Sequence, residues 1–116
     1  MPARNIERVA TALRALLTRR NDDAFVIFEE SASGKFVQFA ASAHQPLVLD
    51  LPAVAMTAAE LQRAAVLFGQ QQQGPTAEGY QRDFGNDADR AAEFTMRIFR
   101  EVYLLPPSFS MSVEEN

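Results

Sequence analysis

Ala24-Phe25-Val26-Ile27-Phe28-Glu29-Glu30, followed by Ser31-Ala32-Ser33-Gly34 and then by Lys35-Phe36-Val37-Gln38-Phe39-Ala40-Ala41, is a pair of β-rich runs about a short polar connection. Phe, Val and Ile suit a pleated surface, and Gly34 is free to take the positive φ that a tight connection asks for, so residues 24–41 predict a β-hairpin. A third run, Leu47-Val48-Leu49-Asp50-Leu51, follows the link Ala43-His44-Gln45-Pro46 and is limited by Pro52, which predicts a three-stranded antiparallel meander. Strand side chains alternate between faces. With Val26, Phe28, Val37, Phe39, Leu47, Leu49 and Leu51 turned to a core, the other face carries Phe25, Ile27, Glu29, Phe36, Gln38, Val48 and Asp50. That second face is too apolar to meet water alone. A helix of the same chain, a second subunit or a foreign peptide would each cover it. Gln38 either hydrogen-bonds a partner's backbone or faces water at an edge.

Outward from the meander the chain reads as helix. Ile6, Val9, Ala10, Leu13, Leu16 and Leu17 recur at helical spacing, predicting a core-facing helix over about residues 3–20 that Asn21-Asp22-Asp23 breaks. Thr57-Ala58-Ala59-Glu60 has the form of a capping box, with Met56 and Leu61 spaced as a hydrophobic staple. The helix it starts carries Leu61, Ala64, Ala65 and Phe68 on one stripe and closes at Gly69, before the polar loop from Gln70 to Pro75. Tyr80, Arg82 and Phe84 alternate within residues 76–85 as a fourth, edge strand or an extended loop. Asn86 or Asp87 caps a last helix whose inner face runs from Ala88 through Ile98, Phe99 and Val102 to Leu105, with Glu93 and Arg97 paired outside. Pro106-Pro107 stops it. The expectation is one α+β domain over residues 1–105, an antiparallel three- to four-stranded meander packed with three helices in the order α-β-β-β-α-(β)-α. Residues 106–116 are expected to be a mobile acidic tail unless Phe109 and Met111 dock.

Composition narrows the chemistry. At 116 residues one core is expected, which the nine Phe help to fill, and the absence of Cys excludes disulfides, thiolate metal sites and cysteine nucleophiles. His44 is the only histidine, so no histidine pair can begin a metal shell. Glu29-Glu30, Asp22-Asp23 and Asp87 with Asp89 match no calcium-loop spacing, the serines sit in no nucleophile elbow, and no glycine loop cradles phosphate. No catalytic residue, cofactor site or metal site is assigned, and the chain is expected not to be an enzyme. No stretch approaches the roughly 20 apolar residues that span a bilayer, and the start lacks the pattern of a secretory signal, so a cytoplasmic protein without membrane insertion is expected. A net charge of -4 disfavours binding to nucleic acid, which rests on Lys and Arg neutralising phosphates. Residues 1–20 are the exception, with Arg4, Arg8, Arg14, Arg19 and Arg20 against Glu7 alone. They form either a solvated helix face or an electrostatic docking surface in which Arg8 and Arg14 meet an acidic partner. A small-molecule-binding protein with a concave polar pocket is the remaining alternative.

The order helix, three-stranded meander, capped helix, short extended segment and final helix resembles the type III secretion chaperone-like fold, including its YbjN-type relatives. The resemblance spans most of the chain. It is carried by Phe25-Val26-Ile27-Phe28-Glu29, by Lys35-Phe36-Val37-Gln38-Phe39 and by the helix ending Ile98-Phe99-Arg100-Glu101-Val102-Tyr103. It implies a small, acidic protein without an active site, and a homodimer is expected; the secretion chaperones hold extended segments of client proteins. By that implication the partner is a protein or peptide client, and Phe25, Ile27, Phe36, Gln38 and Val48 are the candidate partner-binding residues, beside Arg8 and Arg14 for the electrostatic alternative. The chain departs from the best-known chaperones in its short fourth-strand region, where they carry a fuller second pair of strands.

Overall fold

A computed structural model describes residues 4–19, 24–42, 46–69, 79–106 and 108–115. His44, the Asn21-Asp22-Asp23 break, Arg20, the Gln70 to Pro75 loop, the start of the 76–85 segment and Pro107 lie outside the described residues. The elements are α1 (Asn5–Thr18), β1 (Ala24–Glu30), β2 (Phe36–Ala41), β3 (Val48–Pro52), α2 (Ala58–Phe68), β4 (Gly79–Asp83), α3 (Ala88–Arg97) and β5 (Met111–Glu115). All strand pairs are antiparallel, in the spatial order β4-β3-β2-β1-β5.

The meander is present, and its period-2 pattern decides which side is buried. Val26, Phe28, Val37, Phe39, Leu49 and Leu51 are fully buried in one cluster with Val9, Leu13 and Leu16 of α1, Ala64 of α2 and Ala91 of α3. Phe68 of α2 stacks on Tyr80 of β4 at 4.8 Å and meets Phe94 of α3 edge-on at 5.1 Å, so the three aromatic rings join both helices to the sheet. The extended segment is an edge strand: Tyr80 and Arg82 of β4 face inward, and the Arg82 guanidinium lies over the Phe94 ring at 4.8 Å. The shortest extent, 21 Å, accommodates one sheet and one helix layer, and not helices on both faces.

Two expectations at the C-terminal side are corrected. The last helix is not α-helical to Leu105: after Arg97 it widens into a π-helical turn over Ile98–Val102, in which the Tyr103 N–H donates to the Ile98 carbonyl at 3.1 Å. The wider turn gathers Ile98, Phe99, Val102 and Tyr103, all buried, onto a narrower arc facing the core than an α-helix allows. Arg97 accordingly pairs forward with Glu101, at 2.8 and 3.3 Å, and not back with Glu93. The expected mobile acidic tail after residue 105 is instead ordered into β5, the fifth strand, paired with β1 from Val26↔Glu115 to Glu30↔Met111. The sheet is thus five-stranded, one more than the three to four expected. A meander leaves the far edge of β1 open, and Met111 and Phe109, both buried, bring the chain back to close it. The Asn5 side chain donates to the Phe109 carbonyl at 2.8 Å, Arg8 to the Met111 carbonyl at 2.9 Å, and the Ser31 N–H to the Ser110 carbonyl at 2.9 Å.

At the start of α2 the capping box forms: Thr57 Oγ1 accepts the Glu60 N–H at 3.1 Å, and Glu60 Oε1 accepts the Thr57 N–H at 2.8 Å. The same Glu60 oxygen takes a hydrogen bond from Lys35 Nζ at 2.9 Å, which ties the helix to the entry of β2. Burial alone would raise the Glu60 pKa. The Thr57 N–H and the Lys35 ammonium outweigh it and hold the carboxyl below its ordinary value of 4.5. Glu60→Gln is therefore expected to lower stability by about 2 kcal/mol near neutral pH, through loss of the charged cap and of the lysine contact. A carboxylate with a lowered folded-state pKa contributes fully above its unfolded value and loses that contribution as pH falls through the folded one. Urea unfolding across the acid range should show the two proteins converging as pH drops below about 4.5.

Candidate functional site

The face turned away from the helices is built from alternate residues of adjacent strands. Cross-strand register sets Phe25 opposite Ala40 and Ala40 opposite Val48, Ile27 opposite Gln38 and Gln38 opposite Asp50, and Glu29 opposite Phe36. The five sheet residues singled out from the sequence, Phe25, Ile27, Phe36, Gln38 and Val48, therefore lie together on β1, β2 and β3, and each is half-buried. Neighbouring strands are about 4.8 Å apart, so these side chains shelter one another laterally and still present their outer ends to solvent. None of Phe25, Ile27, Phe36 and Val48 packs against the core cluster, whereas Val113 on the opposite side of the same sheet does. Among the described residues, then, no helix covers this face.

Register also reveals the charge around the band. Glu114 stands opposite Ile27 on the β5 side, and Glu29 follows Ile27 along β1; on the other side Asp50 stands opposite Gln38, and Asp83 opposite Val48. Among the described strand residues of this face there is no Lys or Arg. The result is an apolar strip with carboxylates along both flanks.

Arg8 and Arg14 do not join it. Both belong to α1, in the helix layer, and both are used within the molecule: Arg8 on the Met111 carbonyl, and Arg14 on Asp89 of α3 in an exposed ion pair. Arg19 similarly reaches Glu115 at 3.3 Å. The basic start of the chain thus makes contacts within the molecule to the acidic end and to the last helix. What composition missed was this internal use, and the signal available was the opposed charge of the two ends.

Among the described residues no group of three or more His, Asp or Glu side chains converges as a metal ion requires, and no helix is long and apolar enough to cross a membrane. No protein-family model, curated protein or solved structure matches the chain, so its function is argued from its own surface.

Proposed function

We propose that the chain is a protein-interaction module that works by binding and not by catalysis, and that its outer sheet face receives a protein segment whose apolar side chains are flanked by lysine or arginine. One observation carries the reading: the strip of Phe25, Ile27, Phe36, Ala40 and Val48 lies outside the core and is bordered by Glu29, Glu114, Asp50 and Asp83. Removing the strip from water supplies affinity, and the carboxylates select partners of opposite charge and reject acidic ones. The resemblance to secretion chaperones, which hold extended client segments, supports the same class of partner.

Homodimerisation through this face is the second reading. A regular antiparallel face is able to pack on its own two-fold copy, as sheets do at a spacing of about 10 Å. Such a dimer sets acids against acids, so its association should strengthen with salt, opposite to the dependence expected for a cationic segment. The test is a fluorescence-anisotropy titration with a short Leu/Lys peptide and its Leu/Glu counterpart, with the solution mass followed by light scattering. Saturable binding of the Leu/Lys peptide alone is expected, weakened about tenfold or more by the charge-neutral pair Phe25→Gln and Ile27→Gln. If that double variant, still folded, binds as tightly as the parent, the face is not the site. A dimer that forms more tightly as salt is raised, and that the double variant abolishes, would transfer the face to the second reading.

A further inference from the structure

In the helix layer, where the start of α1 meets the end of α3, there is a cleft of about 600 Å³, a size usual for small-molecule sites. Its apolar lining is Ile6, Met96, Phe99, Leu105, Pro106 and Phe109, and two arginines, Arg4 and Arg100, are among its lining residues. Phe99 and Phe109 are buried with ring centroids 4.6 Å apart, while the Arg4 and Arg100 side chains are 81% and 63% exposed.

One wall is made of unusual backbone. Phe99 and Arg100 come from the π-helical turn, and Leu105 and Pro106 follow Leu104, an exposed leucine held at φ 58°. A Cβ makes the left-handed region unfavourable, and a π-turn interrupts regular helix bonding. Features of both kinds cluster at ligand sites, where the surrounding structure holds them. Here the Leu105 N–H to Phe99 carbonyl bond, at 2.9 Å, closes the turn and sets the wall in place.

The arginines retain capacity. Arg4 reaches Glu7 through Nε at 3.3 Å, and Arg100 reaches Glu101 at 3.0 Å on an oxygen already occupied by Arg97 at 2.8 Å. A guanidinium has five donors, and exposed pairs of this sort are weak. The lining also decides between a peptide and a simpler occupant. Apart from Ser108 its polar uncharged side chain is Asn5, whose amide already donates to the Phe109 carbonyl, so a peptide backbone entering the cleft would find few partners for its N–H and C=O groups. An aliphatic tail has none to satisfy.

We infer that this cleft binds an aliphatic carboxylate, its tail on the apolar lining and its anionic head held by Arg4 and Arg100. The site is separate from the outer sheet face and does not depend on the function proposed for that face.

The probe is octanoate, titrated below its micellar range and followed by methyl and amide NMR, with octanol as the uncharged twin. Saturable binding with shifts at Ile6, Met96 and Leu105 is expected, and octanol should bind about tenfold more weakly or worse, because charge-assisted hydrogen bonds to the head are lost. The double variant Arg4→Gln and Arg100→Gln, at exposed positions, should bring octanoate to the affinity of octanol, and Ser108→Trp should block the cleft, with thermal unfolding confirming that both variants fold. Equal binding of octanoate and octanol would overturn the inference. So would shifts confined to Phe25, Ile27 and Val48, indifference of octanoate to either folded variant, or uptake of a Leu/Glu peptide without uptake of octanoate.

Discussion

Removing residues 109–116 is expected to lower the unfolding free energy by about 5 kcal/mol, enough to leave a domain of this size barely folded. Phe109 and Met111 are 7% and 6% exposed, and burying side chains of this kind contributes about 1.5–3 kcal/mol each. The five β5 residues paired with β1 and the bonds from Asn5 and Arg8 to the Phe109 and Met111 carbonyls go with them, offset in part by the conformational entropy regained by the released segment. The deletion also bares the edge of β1, a strand with Phe25, Val26, Ile27 and Phe28 in succession, so aggregation should accompany the loss. Urea titration with light scattering at the same concentrations checks both. A truncated protein with the parent's midpoint would mean that β5 adds nothing to the fold.

Gly79→Ala is expected to destabilise by about 4 kcal/mol, far beyond the usual effect of adding one methyl group at a surface strand. Gly79 has φ 131° and pairs with Pro52 at the start of β4. A Cβ there would stand 2.0 Å from the Leu51 carbonyl oxygen and 2.8 Å from the Ala53 nitrogen. Both are backbone atoms of the adjoining strand and turn, so no side-chain rotation relieves the overlap. The next residue, Tyr80, is fixed opposite Leu51 and against Phe68, which denies β4 an easy shift away. Strain at the φ and overlap with rigid backbone each contribute on the order of 1–3 kcal/mol. Hydrogen exchange should show protection lost first along β3 and β4, and a variant with the parent's stability and protection would contradict this account of the edge.

The parts of the fold legible in the sequence were those governed by short-range pattern. Alternation in residues 24–41, the stripe from Ile6 to Leu17 and the reciprocal Thr57 and Glu60 pair each act over a few residues and needed no tertiary knowledge. β5 was obscured because Ser112 and Glu114 make it polar on one side and Glu115 ends its apolar side, and its reason for being a strand is the vacant edge of β1, more than 80 residues earlier. The π-turn was hidden for a similar cause: Ile98, Phe99 and Val102 fit an α-helical stripe, and only the demand to bury Tyr103 as well selects the wider turn. For the outer face, alternation sufficed to name Phe25, Ile27, Phe36, Gln38 and Val48. The acidic border required register, since Asp83 and Glu114 reach it only through the pairing of β4 and β5.

The clasp between α1 and β5 also bears on how the protein is made. The bonds from Asn5 to Phe109 and from Arg8 to Met111 join positions 104 and 103 residues apart. A ribosome delivers the chain from its N-terminal side, so α1 and the meander emerge while β5 is still inside the exit tunnel. At ordinary elongation rates of about 5–20 residues per second, β1 waits several seconds for its second neighbour. During that interval its bare edge and the apolar strip beside it are both open to the cell, and nascent chains on one message are held close together. The sheet order thus sets how long this edge goes unpaired during synthesis, an interval that ends only after residues 111–115 can reach β1.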